Sequence, residues 1–106
     1  MISSHILDTH LGKPAGDVVI KLYDAQHNLL GHALTNQDGR VSDFGLQSLS
    51  VGEYQLEFEI AAYFAAQNIS TFFPKVCICF FIAQENEHYH IPLLISPYAY
   101  STYRGS

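Results

Sequence analysis

From Glu53 to Ile60 the chain alternates strictly. Tyr54, Leu56, Phe58 and Ile60 fall on one face and Glu53, Gln55, Glu57 and Glu59 on the other. That period of two predicts a half-buried strand. Asp17 to Asp24 carries Val18, Val19, Ile20, Leu22 and Tyr23 and predicts a second, which Ala25-Gln26-His27-Asn28 turns back into Leu29 to Thr35. His5 to Leu11 reads as the first strand of the chain. It ends in Gly12-Lys13-Pro14-Ala15-Gly16, where proline lacks a donor and glycine admits positive φ. Asn36-Gln37-Asp38-Gly39-Arg40 is a strong turn, because Asp-Gly suits left-handed backbone. Val41 to Gly52 has no clear period.

Ala61 to Asn68 breaks the alternation with Ala61, Ala62, Ala65, Ala66 and Gln67, which favour a two-turn helix. Phe72-Phe73-Pro74 leads into Lys75 to Ala83, a strand apolar on both faces. Gln84-Glu85-Asn86-Glu87 turns into His88 to Ser96, the last long strand. Seven to eight short strands with one short helix predict an all-β, two-sheet sandwich. No repeat, linker or low-complexity segment divides the chain, so residues 1–106 are expected to form one domain.

Composition agrees with a packed core, at 48% hydrophobic and 13% aromatic. Only 14% of residues are charged, which leaves room for a subunit interface. The net charge of −5 and the scattered basic residues offer no footprint for nucleic acid. No apolar run approaches the roughly 18–20 residues of a membrane span. Met1-Ile2-Ser3-Ser4-His5 has neither part of a secretory signal, so a cytoplasmic protein is expected.

Cys77 and Cys79 would share a strand face, where a disulfide is geometrically poor and a lone Cys-x-Cys is a weak zinc signal. Reduced thiols are expected. His88 and His90 share the opposite face from Tyr89, a face continued by Pro92 and Leu94. On their spacing alone they suit three readings: satisfied structural histidines, a metal-free catalytic pair, or two zinc ligands with His5 as a third. His5 and Arg40 taken singly are ordinary surface residues, although the fork of a guanidinium suits a carbonyl-rich or anionic ligand.

Together these residues resemble a known family. His5-Ile6-Leu7-Asp8-Thr9 with Gly12-Lys13-Pro14-Ala15, then Asp38-Gly39-Arg40, Phe72-Phe73-Pro74 and Glu87-His88-Tyr89-His90-Ile91-Pro92-Leu93-Leu94 are similar to blocks of the hydroxyisourate hydrolases. These are the enzymes to which the hormone carrier transthyretin is related. The closing Tyr103-Arg104-Gly105-Ser106 is the most discriminating motif, since transthyretins lack it. Ala99, where glycine is common, and the Ala61-Ala62 entry to the helix depart from the pattern.

The resemblance implies a transthyretin-like sandwich that hydrolyses 5-hydroxyisourate to a carboxylated ureidoimidazoline in urate catabolism. It implies His5, Arg40, His90 and Ser106 as catalytic residues. His5, Arg40, His88, Tyr103, Arg104 and Gly105 would contact substrate, with no metal or cofactor. It further implies a homotetramer built as a dimer of dimers. Amide hydrolysis needs a base for water, and a histidine of pKa about 6.5 suits that task. Arg40 would keep a nearby histidine neutral and offset the developing oxyanion. Read as the chain's end, Ser106 would carry an ionised α-carboxylate that could orient a histidine or the attacking water. The competing expectation is a transthyretin-like carrier that binds a small molecule without catalysis.

Overall fold

The computed structural model describes residues 1–46 and 48–106; of the aperiodic stretch Val41 to Gly52, Gln47 lies outside the described residues. Among the described residues nine strands and one helix follow in chain order: β1 (Ile2–Asp8), β2 (Lys13–Pro14), β3 (Val19–Asp24), β4 (Leu29–Leu34), β5 (Arg40–Val41), β6 (Gly52–Phe58), α1 (Ile60–Ala65), β7 (Val76–Ile82), β8 (Tyr89–Ser96) and β9 (Ala99–Thr102). They form two sheets. One has the order β2-β1-β8-β9 with β5 also paired to β1, and the other the order β4-β3-β6-β7. The predicted all-β sandwich is therefore the architecture.

The alternation explains how the sheets close on each other. Tyr54, Leu56 and Phe58 of β6 point inward with Ile20 and Leu22 of β3, against Ile6, Ile91, Leu93 and Ile95 of the other sheet. Burying each such side chain contributes about 1.5–3 kcal/mol. Phe64 of α1 is fully buried and joins this core. The helix is shorter than predicted, six residues followed by a turn, because Asn68 adopts positive φ and ends it.

β1 begins earlier than expected and stops at Asp8, not Leu11. The Asp8 carboxylate is buried and accepts the backbone N–H groups of His10 and Leu11, which folds the chain into a turn. Its other oxygen accepts the Tyr63 hydroxyl at 2.6 Å and so ties α1 to this sheet. Burial, and then this bond, push the Tyr63 phenol up to about 12. Lys13 and Pro14 do not simply end the strand. They form a two-residue edge pair with Leu7 and Asp8, a position proline tolerates.

Candidate active site

The outer face of the β1–β8 sheet carries the candidate residues. β1 and β8 run parallel with Ser3 opposite His90 and His5 opposite Pro92, so Ser3, His5 and His90 project from one face. His88, expected as the first residue of the strand, lies just before β8 and still reaches the same hydroxyl as His90.

Arg40 arrives through the Asn36–Arg40 turn. The Asn36 side chain accepts the N–H groups of Asp38 and Arg40, and Gly39 takes φ 73°. A Cβ on Gly39 would also lie 2.4 Å from the Ile6 carbonyl oxygen, so the turn needs glycine for space as well as conformation. The result is β5, whose Arg40 pairs directly with His5.

The tail closes the other side. β9 adds an antiparallel strand to β8, and the Gly105 N–H then donates to the His90 carbonyl at 2.8 Å. A Cβ on Gly105 would stand 2.4 Å from His90 Cδ2 and 3.2 Å from Pro92 Cγ. Gly105 therefore lies flat against the imidazole, and only glycine fits there. Arg104 anchors this approach: its guanidinium donates to Glu87 at 2.5 Å and lies 4.6 Å from the centre of the Tyr89 ring. Its role is to hold the tail.

Arg40, His88, His90 and Ser106 line a cleft of about 400 Å³ together with Ser3 and Met1. Its volume does not single it out, since grooves of about 410 and 430 Å³ lie beside Tyr63 and around Glu53. The imidazole and guanidinium set does. Among the described residues no acidic side chain lines this cleft. Burial holds the His90 imidazole below its ordinary 6.5, and the charges of Arg40, His5 and His88 lower it further. A neutral histidine beside a permanent cation can accept a proton while the cation offsets developing negative charge.

The structure thus gathers Arg40, His88, His90 and Ser106 in one cleft and lays Gly105 on His90. His5 is their neighbour on the same sheet face rather than a lining residue. Tyr103, 59% exposed, lines a second groove of about 330 Å³ with Ile78, Phe80 and Arg104, and His90 lines both this groove and the cleft. Ser3 was not among the residues singled out in the sequence. Its one signal there was its place two residues before His5, which puts both on one strand face. Cys77 and Cys79 are free, exposed and on one face, as expected of reduced thiols.

A profile of the HIUase/Transthyretin family matches residues 2–105. The chain belongs to this family. Among its relatives, a 5-hydroxyisourate hydrolase of Salmonella typhimurium is 42% identical over 110 residues, spanning 100% of this chain and 81% of that protein. The structure of Klebsiella pneumoniae 5-hydroxyisourate hydrolase superposes with a TM-score of 0.91 at 38% identity, covering 99% of this chain and 98% of that one. Sea bream transthyretin in complex with thyroxine superposes with a TM-score of 0.90 at 27% identity, covering 98% and 93%. The family frame therefore hosts both a hydrolase and a hormone-bound protein, and the residues on the outer face must separate them.

Proposed function

We propose that this chain hydrolyses 5-hydroxyisourate, with His90 as the general base and Arg40 as the electrostatic partner. The observation that carries the reading is His90 itself: half-buried, kept neutral by burial and by Arg40, and packed against Gly105 of the Tyr-Arg-Gly-Ser tail. Water loses a proton to His90 as its oxygen adds to a ring carbonyl. Arg40 stabilises the oxyanion, and the ring C–N bond breaks as the leaving nitrogen is protonated. His5, next to Arg40, supplies a second acid–base group or orients the first. The relatives named 5-hydroxyisourate hydrolase support the same reading.

Assembly as a dimer of dimers belongs to this proposal. The edges β4, β7 and β9 are open, and Phe81, Phe72 and Tyr98 are strongly exposed, as subunit pairing would require. Light scattering should give four chain masses, and a mass of one chain would contradict the assembly.

To test the activity, 5-hydroxyisourate is generated with uricase and its ultraviolet decay followed with and without the purified protein. Acceleration over the spontaneous rate is expected. Decay at the spontaneous rate, with saturable binding of thyroxine, would replace the hydrolase by the carrier.

A further inference from the structure

Ser3 stands between the two histidines of the cleft. Its Oγ lies 2.7 Å from His88 Nε2 and 2.7 Å from His90 Nδ1. A hydroxyl has one proton to donate. Two bonds of this length therefore require at least one imidazole to contribute an N–H. With both rings neutral and the Ser3 proton engaged in one of the two bonds, the three groups order head to tail, in one of two senses. In the first, His90 donates Nδ1–H to Ser3, Ser3 donates to His88 Nε2, and His90 Nε2 is a bare acceptor. In the second, Ser3 donates to His90 Nδ1, and the His90 proton sits on Nε2.

We propose that Ser3 is a positioning residue of the hydrolytic site, holding His90 with its Nε2 free to act as base and carrying a proton between His90 and His88 during the reaction. The proposal rests on the hydrolase reading. In the starting state His90 Nε2 takes a proton from water as the water oxygen bonds to the ring carbonyl carbon. The Nδ1 proton of His90 then passes to Ser3 Oγ while the Ser3 proton passes to His88 Nε2. His90 is left neutral with its proton on Nε2, the form that protonates the leaving nitrogen, and His88 holds the positive charge. As the C–N bond breaks and His90 gives up that proton, the relay runs backwards and restores the starting state. No proton is gained or lost over the cycle.

The surroundings favour this direction of travel. Ser3 is only 8% exposed and sits directly across the parallel ladder from His90, so the strand register brings its hydroxyl beside that ring. Gly105 blocks the ring on its other side. Arg40 of β5 and His5 of β1 face His90, with the Met1 amino group and Ser106 at the cleft wall, and the Arg40 charge opposes a lasting imidazolium there. His88 is exposed, so water solvates the relayed charge.

Ser3→Ala, Ser3→Cys and Ser3→Thr separate positioning from packing. In long-range proton–nitrogen NMR of the substrate-free protein, His90 should show the Nδ1–H tautomer. Ser3→Ala should mix in the Nε2–H form, and Ser3→Thr, which keeps the hydroxyl, should restore the original. In the 5-hydroxyisourate assay Ser3→Ala should lower kcat about ten- to a hundredfold with KM changed less than about twofold, while Ser3→Thr recovers most of the rate. Ser3→Cys, a weaker donor of similar size, should fall between them and serves if Ser3→Ala does not fold. An unchanged His90 tautomer in Ser3→Ala, or an unchanged kcat against an active parent, would overturn the role of Ser3. A parent without activity would instead overturn the hydrolase reading, and the NMR would still decide whether Ser3 sets the tautomer.

Discussion

The outer faces of the two sheets are both polar, yet their charges are arranged in opposite ways. On the β3–β6–β7 sheet lysines meet carboxylates: Lys75 lies 3.0 Å from Glu57, and Lys21 lies 3.6 Å from Glu59. Glu57, predicted to be on a solvent-facing row, is nearly covered, with Tyr23 and Lys75 against it. Burial works against its ionisation, but the bond and charge from Lys75, together with Glu59 and the charge of Lys21, outweigh that and lower its pKa. On the β1–β8 sheet Arg40, His88 and His90 line an open cleft with His5 beside it, and among the described residues no acidic side chain lines it. Charges that satisfy one another hold a fold together. Like groups held near one another around empty space are poised to act on something else.

The sharpest way to break this contrast is Gly105→Ala. The added Cβ cannot coexist with the His90 ring where it stands, so the imidazole or the tail must shift. A misplacement of that order should cost about a hundredfold in kcat/KM, while the melting temperature changes little. Equal activity in this variant would show that the tail does not set the histidine.

A pH profile sharpens the contrast without removing a group. Because burial and then Arg40 lower His90 from 6.5, its neutral form persists below that pH. The rate should stay level through neutrality and fall only as pH drops through the depressed value. In Arg40→Gln the acid limb should move back up toward 6.5, beyond the general loss of rate. Folding stability carries the same sign: the His90 contribution is complete above the unfolded pKa and is lost as pH falls through the folded one. A limb that does not move would separate Arg40 from His90.

The smallest effect should come from the matched face. Glu57→Gln should lower stability by about 1 kcal/mol or less in denaturant titration, since Lys75 is half exposed, and leave the rate unchanged.

What could be read from the sequence depended on period and on local chemistry. The alternation of β6, the Asn36–Arg40 turn and the shared face of His88 and His90 are properties of neighbouring residues, and each was legible. β2 and β5 were not, because two residues are too few to show a period. β9 is polar and exposed throughout, and exists as a strand only because β8 offers it an edge. The burial of Glu57 needed Tyr23 and Lys75, which are distant in sequence. The site was partly legible for the same reason: the family blocks marked His5, Arg40, His90 and the tail, but the meeting of Ser3 with His88 and His90 depends on the parallel register of β1 and β8. Arg104 was implied as a substrate contact, and its anchoring of the tail became visible only with Glu87 and Tyr89 placed beside it.

The proposed mechanism makes the unmatched cluster on the β1–β8 face catalytic, with His90 as its base. The most direct test is the decay rate of 5-hydroxyisourate with His90→Asn beside the parent protein at neutral pH, both verified as folded. A loss of about 10²–10⁴-fold in kcat/KM is expected. A rate equal to that of the parent would contradict it.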